Sequence, residues 1–149
     1  MSVNKELKEV ELYTDGSCLQ NPGPGGWAAI LRYGEHERTI SGGDEFTTNN
    51  RMELTGVIEG LKLLKYECRV IVTTDSQYVV NAFNKGWVYN WEKQKFKDRL
   101  NADLWKELLV LVRRHEVEFR WIKGHAGHKF NEACDKEAVR QSRKYSKGD

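Results

Sequence analysis

Arg69-Val70-Ile71-Val72-Thr73-Thr74-Asp75-Ser76 decides the architecture. A near-continuous β-branched run with no polar alternation is the pattern of a strand buried on both faces, as parallel strands are. Just upstream, Leu54, Val57, Ile58, Leu61 and Leu64 recur at helical spacing and form one core-facing stripe. Thr47-Thr48-Asn49-Asn50 supplies N-cap candidates for that helix. A helix leading into a buried strand is a crossover, so the strand runs parallel to an earlier one. The earlier strand is Val10-Glu11-Leu12-Tyr13-Thr14, which alternates apolar and polar residues and is expected to end at Asp15-Gly16-Ser17.

Between those two strands, Pro22-Gly23-Pro24-Gly25-Gly26 is expected to be an irregular connection. Trp27–Tyr33 and Glu37–Ser41 then form an antiparallel pair, closed by Gly42-Gly43. Downstream, a short helix over Ser76–Phe83 is capped by Asp75 or Ser76, and a longer one covers Asp103–Arg114. Val117–Ile122 is the last strand, Gly124-His125-Ala126-Gly127-His128 a glycine-flanked loop, and Asn131–Gln141 a closing helix with Ala133, Cys134 and Ala138 inward. The tail beyond Gln141 is expected to fray. The order predicts an α/β fold, a mixed sheet covered by helices, in one domain spanning residues 1–149 with its core at about 8–142.

Composition narrows the function classes. A content of 39% hydrophobic and 31% charged residues excludes disordered and collagenous chains. No apolar run approaches the roughly 18 residues of a membrane span, and the N-terminus is too polar for a signal peptide. Cys18, Cys68 and Cys134 form no CxxC pair and point to reduced thiols in a cytoplasm. The net charge of +2 does not by itself indicate nucleic acid. Its distribution says more, with Lys85, Lys93, Lys95, Lys97 and Arg99 set against only Glu92 and Asp98.

If the first strand and the Val70 strand are neighbours, Asp15 and Asp75 emerge at one sheet edge, where open α/β sheets bind ligands. Glu53, early in the crossover helix, and Asp135, early in the last helix, can reach the same end. Four carboxylates there would repel one another without a cation, and oxygen-only ligands favour Mg²⁺ or Mn²⁺ over zinc. Taken singly, each acid has a plainer role: Asp15 as a turn former, Asp75 as a helix cap, Glu53 as a solvated helix acid, Asp135 as a first-turn acid. His125 alone is an ordinary loop histidine. The case rests on all five occurring together, in the order the sheet requires.

The ordered motifs Tyr-Thr-Asp-Gly-Ser-Cys (13–18), Asn-Pro-Gly-Pro-Gly-Gly-Trp (21–27), Thr-Asn-Asn-Arg-Met-Glu-Leu (48–54), Thr-Asp-Ser-Gln-Tyr-Val (74–79), Lys-Gly-His-Ala-Gly-His (123–128) and Asn-Glu-Ala-Cys-Asp (131–135) resemble those of bacterial type 1 ribonuclease H. The resemblance covers residues 8 to 142. It implies the ribonuclease H-like fold, a five-stranded mixed sheet ordered 3-2-1-4-5 with helices on both faces. It also implies endonucleolytic cleavage of the RNA strand of an RNA–DNA hybrid, leaving 5′-phosphate and 3′-hydroxyl ends. By motif match, Asp15, Glu53, Asp75 and Asp135 bind two Mg²⁺ ions, with Mn²⁺ as a possible substitute and Asp15 as the candidate bridging ligand. His125 assists proton movement or product departure.

The same resemblance nominates Cys18, Asn21, Asn49, Asn50 and Gln77 for the RNA strand, and Thr48 and Asn101 for a phosphate pocket on the DNA strand. Trp87 and Trp91, followed by Lys93, Lys95 and Lys97, resemble a basic handle that grips the DNA strand. The alternative for that handle is a helix packing its indoles into a satellite core. The implied partner is the hybrid alone, bound by a monomer. A hybrid-binding module without turnover predicts a lost acid, and all four are present. A phosphatase with an aspartyl nucleophile usually wants a second acid two residues on, where Ser17 stands.

Overall fold

The computed structural model describes residues 6–124 and 127–146. Five strands, β1 (Lys8–Cys18), β2 (Gly23–Tyr33), β3 (His36–Thr47), β4 (Cys68–Thr74) and β5 (Glu116–Trp121), form one sheet in the order β3-β2-β1-β4-β5. β1 pairs with β2 and β2 with β3 antiparallel, whereas β4 is parallel to both β1 and β5. The helices are α1 (Asn49–Lys62), α2 (Gln77–Asn84), α3 (Trp87–Lys93), α4 (Ala102–Arg113) and α5 (Lys129–Ser146). The sheet is therefore mixed and ordered as the motifs implied, with helices on both faces.

Two cores sit on opposite faces of the sheet. On one, Val10, Leu12, Val70 and Val72 meet Leu54, Val57, Ile58 and Leu61 of α1 and Trp105 and Leu108 of α4. On the other, Tyr13, Ala28 and Ile30 meet Cys134 and Ala138 of α5. Alternate residues of β1 thus serve alternate faces, as the period of a strand demands. Each large aliphatic side chain so buried contributes roughly 1.5–3 kcal/mol relative to exposure. Helix starts follow the expected chemistry: the Thr48 hydroxyl accepts from the Arg51 amide and the Ser76 hydroxyl from the Val79 amide.

Four sequence expectations need correction. Gly23-Pro24-Gly25-Gly26 is not an irregular connection but the start of β2, with a register shift between Gly23 and Gly25 that accommodates the proline. Its glycines serve close approach: a Cβ at Gly26 would lie 2.6 Å from the Ser142 amide nitrogen of α5. Likewise Gly42 and Gly43 lie inside β3, beneath the rings of Trp27 and Tyr145. The last helix continues past Gln141 to Ser146, because Gln141 and Ser142 are buried and the Gln141 amide donates to the Ser41 hydroxyl of β3 at 3.1 Å. Ala133, expected inward, is exposed.

Lys95, Phe96, Asp98 and Asn101 all have positive φ in the turns between α3 and α4. Phe96 is buried and Asn101 is held by two side-chain hydrogen bonds, so the surrounding contacts impose the left-handed backbone. Lys95 is exposed at φ 55° and has no such compensation. Lys95→Gly is expected to raise stability by about 1 kcal/mol, a gain of roughly 3 °C in Tm for a chain of this length. An unchanged or lower Tm would show the turn to be unstrained there.

At the opposite end of the sheet, the Cys68 amide donates to His115 Nδ1 at 3.1 Å, tying the entry of β4 to that of β5. Burial holds the His115 pKa below its usual value, so the folded state prefers the neutral ring. Its stabilising contribution is present above the unfolded-state pKa near 6.5 and is lost as pH falls through the lower folded-state value. Relative to His115→Gln, whose carbonyl can accept without titrating, the wild type should lose urea resistance between pH 7.5 and 5. A difference independent of pH would exclude this linkage.

Candidate active site

Asp15 stands where β1 has outrun β4: pairing with β4 ends at Tyr13, while pairing with β2 continues to Cys18. β1 therefore does not stop at Asp15, as the sequence suggested, and the aspartate projects from ordered strand. Asp75 follows the last residue of β4, and its backbone carbonyl accepts from the Trp121 indole at 3.0 Å. Glu53 arrives from the second turn of α1. One carboxylate oxygen from each of Asp15, Glu53 and Asp75 lies within 4.8 Å of the others.

Gly16 sets this convergence. Its amide donates to Asp15 Oδ1 at 2.8 Å and to Glu53 Oε1, so one N–H is shared by both acids. A Cβ at Gly16 would lie 2.5 Å from the Glu53 backbone nitrogen, which means α1 rests directly on the strand. Asp15 and Glu53 are only 4% and 5% exposed, too little for water to screen their charges. Burial first, and then the neighbouring carboxylates, raise the Asp15 pKa far above its ordinary range. Glu53 is raised as well, chiefly by burial. Buried carboxylates that resist ionisation together in a water-facing cleft have the donor chemistry for a divalent cation.

The acids floor a polar cleft of about 500 Å³ that Asp135, from the second turn of α5, also lines. Asp135 is thus brought to the same rim but is not part of the close triad. His125 lies outside the described residues. Gly124 beside it is close-packed on Asp75, since a Cβ there would meet Asp75 Oδ2 at 2.7 Å. Past the loop, His128 and Phe130 pack on Tyr13 with ring centroids 5.3 and 5.0 Å away.

Of the residues nominated for substrate, Cys18, Asn49, Asn50 and Gln77 line the cleft, joined by Tyr78, which sequence reasoning missed. Asn21 does not line it; its carbonyl accepts from the Asn49 amide at 3.0 Å and steadies the start of α1. Thr48 caps α1. The Asn101 side chain accepts from Arg51 and donates to the Tyr78 hydroxyl, which also accepts from the Trp105 indole. Arg51 in turn pairs with Asp103 at 2.8 Å. Trp91 packs edge-on against Trp105, 5.3 Å away, beneath the Arg99 guanidinium, whereas Trp87 is 42% exposed. Both indoles, with Tyr78, Arg99 and Leu100, line a separate hollow of about 280 Å³. Trp91 therefore belongs partly to the core, as the alternative had it. Cys134 is fully buried, and burial pushes its thiol pKa up to about 12, so it is inert.

Among the described residues no helix is long and apolar enough to cross a membrane. The family model for RNase H matches residues 7–143. Ribonuclease H of Proteus mirabilis is 50% identical over 147 residues, covering 95% of this chain and 92% of that protein. Ribonuclease H of Helicobacter pylori is 53% identical over 141 residues, covering 95% and 98%. The crystal structure of LC9-RNase H1, a type 1 RNase H with the type 2 active-site motif, superposes with a TM-score of 0.86 at 33% identity, covering 96% of this chain and 76% of that one. With a matching sheet order, an acid cluster at the motif positions and relatives alike over nearly their whole length, the chain belongs to the ribonuclease H family as a bacterial type 1 member.

Proposed function

We infer that this protein is an endoribonuclease that hydrolyses the RNA strand of RNA–DNA hybrids, leaving 5′-phosphate and 3′-hydroxyl ends. The observation that carries this reading is the triad of carboxylates within 4.8 Å at the floor of a polar cleft, in a chain of this family. Residues 1–149 act as a single catalytic domain in this reading. The donor set, all oxygen, with Asp15 and Glu53 buried and Asp75 and Asp135 half-buried, suits Mg²⁺ or Mn²⁺ held by these four acids. Bound there, two such ions would supply Lewis-acid polarisation of the scissile phosphate and would make an attacking water more acidic.

The chain's own residues do the rest. The Gly16 amide holds the Asp15 and Glu53 carboxylates in fixed orientation, and the Trp121 indole fixes the backbone at Asp75. No side chain is asked to form a covalent intermediate. By motif match, His125 would assist proton movement or product departure. Cys18, Asn49, Asn50 and Gln77 offer short polar groups suited to the 2′-hydroxyl, the feature that distinguishes RNA from DNA. Thr48, Asn101, Trp87 and Trp91 are assigned to the DNA strand in this reading, where phosphate contacts set register without reading sequence. The three unpaired cysteines suit a reducing cytoplasm, where the protein would act as a monomer.

Incubation with Mg²⁺ and end-labelled hybrid, duplex DNA and duplex RNA should cut only the RNA of the hybrid, and Asp15→Asn and Asp75→Asn should each abolish that cleavage. Replacing an ionisable carboxyl with a neutral amide removes the cost of crowding acids in the metal-free cluster, so both variants should melt at or above the wild-type temperature without metal. Binding without cleavage by the wild type would overturn the enzymatic reading, and a large fall in Tm for both variants would overturn the cluster. His125→Ala should slow turnover by roughly 10²-fold or more with hybrid affinity nearly unchanged. A comparable loss of affinity would instead make His125 a substrate contact.

A further inference from the structure

Helix α5 buries Asn131, Cys134, Ala138, Gln141 and Ser142. The opposite face carries Lys129, Lys136, Arg140, Arg143 and Lys144, all exposed, at spacings that keep them on one side of a helix. Glu137 at the edge of this stripe is already satisfied, pairing with Arg140 at 2.7 Å and accepting from Ser41 and Gln141. Glu132 is the other glutamate near it. Lys136, Arg143 and Lys144 have no ion-pair partner among the described residues. Three unpaired cations over about 12 Å of helix, at 1.5 Å per residue, form a track of single sign.

Position gives the track its occupant. An open concavity of about 670 Å³ runs along it, lined by Asp135, Lys136, Val139, Arg140, Arg143 and Lys144. Asp135 lines the catalytic cleft as well, so the two surfaces join at that residue. The aromatic hollow of Trp87 and Trp91 lies with α2 and α3, on the far side of the cleft from α5. A duplex seated over the acids and reaching that hollow at one end would, at its other end, pass Asp135 and meet α5. We propose that the outward face of α5 is a second phosphate-backbone track, which holds the hybrid where it continues past the cleft. The inference rests on the proposed function, since the polyanion is the hybrid itself. Flexible Lys and Arg side chains with no fixed partner suit contacts that confer affinity without base preference.

Arg143→Gln/Lys144→Gln tests the track while leaving Lys136, beside Asp135, untouched. Cleavage would be compared on a hybrid of about one helical turn, too short to leave the cleft, and on one of about three turns. The double variant should raise KM for the long hybrid about 3–10-fold and reduce the slope of log affinity against log salt by about 2, with kcat retained. Its KM for the short hybrid and its Tm should match the wild type. Equal effects on both lengths, or none on either with an unchanged salt slope, would overturn the track and leave the basic face to another acidic partner. Failure of the wild type to cut either hybrid would count against the proposed function instead.

Discussion

The contact between Gly16 and the backbone of α1 is the constraint on which the rim depends. A strand residue without a side chain lets a helix settle onto the sheet at van der Waals distance, and Glu53 reaches the strand end only because of that approach. The same amide then holds two acids that repel each other. Packing energy from Leu54, Val57, Ile58 and Leu61 below stabilises a cluster that would otherwise spread apart. The fold thus stores electrostatic cost at one edge and offsets it with an apolar face a few residues away.

The sequence made the parallel strand, the crossover helix and the acids legible because each is a local pattern. The β-branched run before Asp75 and the stripe from Leu54 to Leu61 can be read within a dozen residues. Glycines were misread where they report on distant chain. Gly25 and Gly26 look like breakers beside Pro22 and Pro24, yet Gly26 is small because Ser142 lies against it. Gly43 likewise makes room for Tyr145. The persistence of α5 to Ser146 shares that cause, since Gln141 and Ser142 are polar in sequence and buried only in context.

Among the candidate site residues, the acids were readable because charge crowding has few explanations. The polar side chains were less so. Asn21, Thr48 and Asn101 all make hydrogen bonds that organise the start of α1 or α4, so their chemistry is at least partly structural. Tyr78 went unnoticed because nothing local marks it, although its hydroxyl joins Asn101 to Trp105. That link connects the cleft to the fully buried Trp105 against which Trp91 leans, giving the aromatic hollow and the acids a common foundation.

The unequal lengths of pairing along β1 have one more effect. Because β4 stops short while β2 accompanies β1 to Cys18, the cleft over the carboxylates is open on one side and is not a closed well. A nucleic-acid duplex is a stiff rod, with a persistence length of about 50 nm for DNA, and cannot curl into a well over a few base pairs. A cleft open on one side can be approached by an unbent rod anywhere along its length, so the early end of β4 makes internal attack on a long polymer geometrically possible, with no free end required.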